Sequence, residues 1–440
     1  MSQRVIVVGA GLGGSLAALF LARTGREVLV VERRSDPRLL NKAAGRSINL
    51  AISARGIHAL DRAGLTGELL ANGLRMPGRM IHPVAGAPMF QPYSSDPKRA
   101  IHSVSRSALN LLLLNAAAAE RKVSLRFDLR CTEIDPGRPT ATFARADGST
   151  ETFEADLIVG ADGAYSAVRA ALLKTDRVDF SQEYLSSGYK ELTIPPRDGE
   201  FAMEPNALHI WPRGGSMMIA LPNPDHSFTC TLFWPWQGPG SFAEVQGDGR
   251  VREHFARVYP DAVPLMPTLL EDFRRNPVGS LVTMRCRPWV RGSVALLGDA
   301  AHAIVPFYGQ GANASFEDCE ALVDALDRHR GDLPTALAAY EAARLANANA
   351  IADLAIENFH EMQHKTATRS FRLKKKLEHV LHDRLGERFI PLYDMVSFTT
   401  IPYAEARVRA ARQWRAVQAA ALGAGVVAAG GLATLAAALS

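Results

Sequence analysis

"RVIVVGAGLGGSLAALFLARTGREVLVVERR" runs from Arg4 to Arg34. It reads as a buried strand from Arg4 to Val8, a glycine turn, a helix from Ser15 to Arg23, and a second strand from Val28 to Val31. Gly9, Gly11 and Gly14 form GxGxxG, and Gly13 lies between them. In this context each glycine has a purpose. Gly9 permits the tight turn, Gly11 lets the backbone approach a pyrophosphate, and Gly14 lets the helix pack against the sheet. Glu32 ends the second strand, 18 residues after Gly14, where a carboxylate accepts from a ribose hydroxyl. Arg33 and Arg34 follow it. An acid there disfavours a 2′-phosphate, so the loop expects FAD or NAD rather than NADPH.

Two later segments decide between them. "DLIVGADGAYSAVR", Asp156 to Arg169, is an apolar strand followed by Asp162-Gly163 and a helical start. "GDAAHAIVPFYGQGANASFEDCEAL", Gly298 to Leu322, follows the apolar run Val294–Leu297. It carries Asp299, then a glycine-rich turn at the start of a helix, an arrangement that favours an anion. An early GxGxxG, a middle Asp-Gly and a late Gly-Asp, in that order, resemble the flavoprotein aromatic hydroxylase group. The resemblance implies that Asp299 binds the FAD ribityl chain and that Gly311, Ala312 and Asn313 lie along the isoalloxazine. Ala51, Arg106 and Asp162 are the other expected cofactor contacts. His302 is read as structural as readily as catalytic.

Composition sets bounds. The chain has 440 residues, 47% hydrophobic, with net charge +5. That is enough for two domains. No dense basic run with interleaved aromatics points to nucleic acid. The stretch Arg369 to Phe389 reads as a basic helix with a solvated face. Cys131, Cys230, Cys286 and Cys319 are far apart in sequence, which suits reduced thiols and no metal site. No signal peptide is read at the N-terminus. Residues 416–440 carry no charge. Their Ala/Gly content favours a helix on the body or a frayed end over a membrane anchor. The expected location is cytoplasmic, with membrane association through this tail as the alternative.

A narrower resemblance covers the chain to about Arg415. "GRSINLAIS" (Gly45–Ser53), "RMIHP" (Arg79–Pro83), "SVSRSALN" (Ser103–Asn110), "GYKELTIPP" (Gly188–Pro196), "AMEPNALHIWPRG" (Ala202–Gly214), "MMIALPN" (Met217–Asn223), "SFTCTLF" (Ser227–Phe233) and "FIPLYDMVSF" (Phe389–Phe398) resemble the kynurenine 3-monooxygenase family. The reaction implied is L-kynurenine + NADPH + H⁺ + O₂ → 3-hydroxy-L-kynurenine + NADP⁺ + H₂O, through a flavin C4a-hydroperoxide. It serves the tryptophan/kynurenine pathway towards quinolinate and NAD. No catalytic nucleophile is implied, because the cofactor carries the chemistry.

By the same resemblance Arg79, Tyr93, Asn358 and Tyr393 bind the amino-acid end of the substrate. Arginine suits a carboxylate. The aromatic ring packs on Met217, Ile219, Leu221 and Phe233, with Phe307, Tyr308 and Met362 completing the pocket. Met217, Ile219 and Leu221 alternate with Met218 and Ala220, which puts them on one strand face. Tyr308 departs from the Phe or His more usual in the family. NADPH has no second GxGxxG, and its contacts are sought near Asp162-Gly163, Arg106 and Arg169. The rival readings are a same-fold FAD monooxygenase acting on another aromatic substrate, and a non-catalytic binding protein of the same fold.

The expected architecture is α/β: a Rossmann-like FAD-binding domain (1–75, 100–180, 279–330), a mixed-sheet substrate domain (76–99, 181–278), and a helical region (331–415) capping the pocket. No oligomeric state is read from the sequence.

Overall fold

The computed structural model describes residues 3–39, 49–364 and 369–438, with side chains excepted at 363–372 and 421–438. Four residues of the expected family motif at 45–53, residues 45–48, therefore lie outside the described ones. So do most side chains of the uncharged tail.

The opening stretch folds as read. Strand Arg4–Val8, helix Leu12–Arg23 and strand Glu27–Val31 form a βαβ unit. Arg4–Val8 is central in a six-stranded sheet. It pairs in parallel with Glu27–Val31 on one side and with Leu157–Gly160 on the other. Leu157–Gly160 in turn pairs in parallel with Val294–Leu296. The three motif-bearing strands are thus neighbours, and each motif leaves its strand at the carboxyl end. In an open α/β sheet that edge is where ligands bind. The core beneath is continuous: Val5, Val7, Leu157, Val159, Ala295 and Leu296 are all buried against Leu16, Leu19 and Phe316.

A second, seven-stranded sheet builds the substrate domain. Its order is Val278–Arg287, Asp179–Ile194, Phe228–Pro235, Met217–Pro222, Ala207–Pro212, Gly78–Ile81 and Met89–Pro92. The two faces differ as the alternation required. Met218 and Ala220 join an apolar core with Phe255, Tyr259 and Leu269, covered by helices Asp248–Val258 and Leu269–Arg275. Met217 and Ile219 face the opposite way.

The expected domain limits at 180/181 and 278/279 cut through this sheet and need correction. Strands Asp179–Ile194 and Val278–Arg287 are paired from Asp179↔Arg287 onward, so both belong to the substrate sheet over their whole length. The polar turn Lys174–Arg177 and the Asn276-Pro277 pair, just before the two strands, mark the observed limits.

Helices Leu333–His364, Arg369–Leu385, Leu392–Phe398 and Tyr403–Ala438 close the structure. Helix Arg369–Leu385 differs from the simple solvated basic face expected. Leu373 is 69% exposed and Leu377 43%, while Lys375 pairs with Glu378 at 2.9 Å. Among the described residues no helix is long and apolar enough to cross a membrane. All four cysteines are free thiols.

One buried ionic network ties the helices to the sheet. The Asp318 carboxylate accepts from Gly298 N (3.1 Å), His302 Nε2 (2.5 Å) and Arg344 Nε (2.7 Å). Arg344 also donates to Glu317 (3.0 Å), which pairs with Arg55 at 2.5 Å. Burial alone raises the Asp318 carboxyl, but His302 and Arg344 outweigh it and hold it at about 2. Its contribution to stability is therefore complete above the ordinary carboxylate range near pH ~4 and is lost as pH falls towards 2. Asp318→Ala removes one of the two carboxylates that balance the buried Arg344, leaving Glu317 alone, and takes away the partner of His302, so urea unfolding should show a loss of about 3–5 kcal/mol. A loss below about 1 kcal/mol would contradict this role for the network.

Candidate functional site

The cofactor cradle forms where the three loops meet. At Gly14 a Cβ would lie 2.0 Å from the Gly9 carbonyl oxygen, so only glycine lets helix Leu12–Arg23 start there. A Cβ on Gly11 meets nothing within 4 Å, so this face of the loop is open to a ligand. Gly13 packs against Ser315 and Leu297 of the late segment. The helix ladder begins at Ser15 N→Gly11 O. The amides of Leu12, Gly13 and Gly14 therefore lie outside it, as anion-binding helix starts require.

Glu32 is buried. It accepts from Ala10 N at 2.9 Å and from Arg34 Nε at 2.8 Å. Burial works to raise its carboxyl, but these bonds prevail and hold it below the ordinary value. It braces the glycine loop and keeps lone pairs for a ribose. Arg34 is spent on Glu32, and Arg33 is exposed.

The middle segment contributes Asp162. Its Oδ2 accepts from Ala167 N at 2.6 Å, while its Oδ1 is buried with no partner in the chain. Burial raises its pKa. Asp299 begins the short helix Asp299–His302, with Gly298 rather than Asp299 at the N-cap. Its half-buried carboxylate makes no hydrogen bond among the described residues, and burial raises its pKa against the nearby Arg106 charge. Arg106 is exposed at the start of helix Arg106–Ala119.

Asn313 is fully committed. Its Oδ1 accepts from Ser53 N (3.0 Å) and Gly56 N (3.2 Å), and its Nδ2 donates to Ala51 O (2.9 Å) and Gly309 O (2.7 Å). Asn313 therefore ties Ala51 to the late turn, and the amides of Gly311, Ala312 and Asn313 are what that helix start presents. An orphaned buried carboxylate oxygen, a second carboxylate with no bond among the described residues, an open glycine face and two helix starts fit the hydroxyls and phosphates of FAD.

Two residues move from the functional column to the structural one. Arg169 is buried, donating to Ala300 O at 2.8 Å and also to Ala164 O. It staples the Asp-Gly segment to the Gly-Asp segment and does not face a dinucleotide phosphate. His302 stacks on Trp289 (5.0 Å) and bonds Asp318, which fixes it as a structural group.

A cavity of about 280 Å³ lies between the substrate sheet and the capping helices. Arg79, Tyr93, Tyr308, Asn358 and Tyr393 all line it. The Arg79 guanidinium lies 5.1 Å from the Tyr93 ring centroid and 5.0 Å from that of Tyr393. Tyr93 and Tyr393 are stacked at 5.0 Å, and Tyr308 stacks on Tyr393 at 5.6 Å. Arg79 Nε and the Tyr93 hydroxyl are buried and unpartnered. Burial opposes the Arg79 charge, but the phenol oxygens of Tyr393 and Tyr93 outweigh it and keep the guanidinium protonated above its ordinary value. Burial holds the phenols of Tyr93 and Tyr308 neutral. Asn358 Nδ2 donates to Phe307 O at 2.6 Å, which leaves Oδ1 as its available pole.

The expected apolar residues lie beside this cavity rather than in its lining: Met217, Phe233, Phe307 and Met362 form one cluster, with Ile219 and Tyr308 packed on it, and Tyr308 alone of these also lines the cavity. Leu221 sits next door with Tyr93, joined through Ile219. Sequence reasoning missed Phe359, which packs on Phe307 at 4.2 Å, although it adjoins Asn358. It also missed Asp394, which accepts from Ser94 and Arg99 at 2.8 Å each. That clamp fixes the loop after Tyr93 to the helix of Tyr393, and nothing local in the sequence signals it.

The fold and site define an FAD-binding flavoprotein of the aromatic hydroxylase type. Residues 2–355 match the family model described as "FAD binding domain". Crystal structures of 2-methyl-3-hydroxypyridine-5-carboxylic acid oxygenase share the fold, one with TM-score 0.68 at 22% identity over 84% of this chain and 95% of that one. So does PqsL of Pseudomonas aeruginosa, a probable FAD-dependent monooxygenase, at TM-score 0.65 and 23% identity over 82% and 97% of the two chains. The kynurenine 3-monooxygenase of Salinispora arenicola is 46% identical over 99% of this chain and 96% of its own. That of Dictyostelium discoideum is 43% identical over 92% and 90%. The chain belongs to the kynurenine 3-monooxygenase family.

The glycine geometry makes a paired prediction. Gly14→Ala should fail to fold. Gly11→Ala should fold with unchanged thermal stability but purify with clearly less flavin absorbance per protein. A fully flavinated Gly11→Ala would contradict the pyrophosphate approach at that loop.

Proposed function

We propose that the chain hydroxylates L-kynurenine to 3-hydroxy-L-kynurenine, with FAD as cofactor and NADPH and O₂ as co-substrates. FAD, when bound, supplies the redox and oxygen chemistry. The observation that carries the substrate reading is Arg79. It is a buried cation with an unpartnered Nε that lines the cavity together with Tyr93, Tyr308 and Tyr393, and an apolar cluster holding Met217, Phe233 and Phe307 meets this cavity through Tyr308. A carboxylate there forms charge-assisted bonds in a low dielectric. The neutral Tyr93 hydroxyl adds a donor. Asn358 Oδ1 faces the α-ammonium as acceptor. The aniline ring lies on Met217, Ile219 and Phe233. Leu221, through Ile219, supports this wall. Phe307 and Tyr308 lead from it to the turn that presents Gly311.

The protein's own tasks are binding, orientation and exclusion of water. No side chain is assigned a covalent role. Asp162 and Asp299 hold hydroxyls of the cofactor, and Glu32 its ribose. Arg106, exposed beside Asp299, attracts the anionic co-substrate from solvent.

The test is NADPH oxidation by the flavin-loaded protein with and without L-kynurenine, with product mass. Strong stimulation and a gain of one oxygen atom are expected. Flavin that is reducible but indifferent to kynurenine would remove the substrate assignment and leave the class. Arg79→Ala should raise KM for L-kynurenine about 10- to 150-fold, as expected for lost bonds to a charged group. Arg79→Lys should not restore it, since one ammonium does not reproduce the guanidinium fork.

A further inference from the structure

His82 and His209 belong to the motifs "RMIHP" and "AMEPNALHIWPRG" but have no part in the site above. They sit on the far side of the strand that carries Arg79. His82 Nδ1 is 2.9 Å from Asp261 Oδ2. His82 Nε2 is 2.9 Å from His209 Nδ1. His209 Nε2 is 2.8 Å from the Glu204 carbonyl oxygen. Asp261 Oδ2 also accepts from Trp211 Nε1 at 2.8 Å, and the Trp211 ring stacks on His82 at 4.0 Å.

The protons in this chain can be counted. A carbonyl oxygen only accepts, so His209 Nε2 carries hydrogen. A neutral His209 then has a bare Nδ1, and His82 Nε2 must donate to it. That leaves a neutral His82 with a bare Nδ1 against a carboxylate oxygen. Three hydrogen bonds need three protons, and two neutral imidazoles hold two. Without a third, one contact of 2.8–2.9 Å sets two acceptors against each other. The third proton belongs between His82 and Asp261, where the carboxylate stabilises an imidazolium.

We infer that Asp261, His82 and His209 form a proton-sharing chain that positions Arg79, so that binding of the substrate carboxylate depends on the proton held between His82 and Asp261. The inference rests on the kynurenine reading for its ligand. The coupling is short. Arg79 pairs with Leu208, Met80 with His209 and Ile81 with Ile210. His82 N donates to Ile210 O at 2.8 Å, so the chain locks the end of the Arg79 strand to its neighbour. The other charged groups facing it are few. Arg213 donates to His82 O at 2.9 Å and stands 3.8 Å from Asp261 Oδ1. It rests on the buried Tyr259 ring at 5.3 Å. The Glu204 carboxylate lies on the His209 side. Burial presses both imidazoles towards neutrality, and Asp261 opposes this on His82.

Two measurements test it. In ¹⁵N-histidine-labelled, flavin-loaded protein, His82, assigned by loss of its signals in His82→Asn, should show both ring nitrogens protonated on the acid side of a single inflection. One bare nitrogen on each ring from about pH 5 to about pH 9, across the ordinary histidine range, would overturn the chain. In steady state, KM for L-kynurenine should rise with pH through that inflection several-fold, up to about tenfold, the size of one lost hydrogen bond, with kcat changed less than about twofold. Asp261→Asn keeps an acceptor but removes the anion, and should move the inflection down by about one pH unit or more. A flat KM in the wild type, or an unmoved inflection in Asp261→Asn, would overturn the positioning role. Absence of kynurenine turnover at every pH would instead strike the substrate reading, and the histidine titration, which needs no substrate, would still decide the chain.

Discussion

The Asp318 carboxylate holds together the late segment that completes the cofactor cradle. It fixes the turn at Gly298 through a backbone bond and through His302, and it is itself fixed by Arg344. Its helix, Gly311–Arg328, lies on the first glycine loop, with Ser315 against Gly13 and Cys319 Sγ donating to Gly13 O at 3.2 Å. The cofactor cradle can therefore close only when the late segment returns to the early one. The Asp318 and Glu317 carboxylates face Arg344 and Arg55, which is what makes burying Asp318 and the two guanidinium groups tolerable. Arg55 then donates to Val396 O at 2.8 Å and Met395 O at 3.1 Å, beside Tyr393. One ionic path thus runs from the cradle to the pocket wall.

The pocket uses a different device. Among the described residues Arg79 has no carboxylate partner; tyrosine faces and phenol oxygens surround its charge. A guanidinium held this way is poised for an incoming anion, because a resident carboxylate would have satisfied it already. The apolar cluster of Met217, Phe233 and Phe307 adjoins the cavity at Tyr308. The proposed ligand has a carboxylate for Arg79 and an aromatic ring for that cluster. That is a tighter specification than the fold alone gives, since this fold serves many substrates.

Much of this was legible in the sequence because it depends on local pattern. The βαβ unit follows from an apolar strand, three spaced glycines and an acid at the right distance. The split faces of Met217–Leu221 follow from a period of two. What was not legible depends on pairing across the fold. Nothing local in the sequence singles out Glu317 and Asp318; their role appears only when Arg55 and Arg344 are brought to them. Arg169 stood among the residues near which NADPH contacts were sought, because its structural role requires knowing that Ala164 and Ala300 are neighbours. The strands from 179 and 278 cross the expected domain limits, as their pairing shows. His82 and His209 stood in recognisable motifs, yet only their distances reveal a proton count that two neutral rings cannot meet.

The claim on which the account turns is that Arg79 anchors a substrate carboxylate. The direct measurement is binding of L-kynurenine and of its decarboxylated analogue to the flavin-loaded protein, followed by flavin fluorescence, in the wild type and in Arg79→Ala. The account predicts that the analogue binds the wild type about 10- to 150-fold more weakly than L-kynurenine, and that the difference largely disappears in Arg79→Ala. Equal affinities in the wild type, or an undiminished difference in the variant, would contradict it.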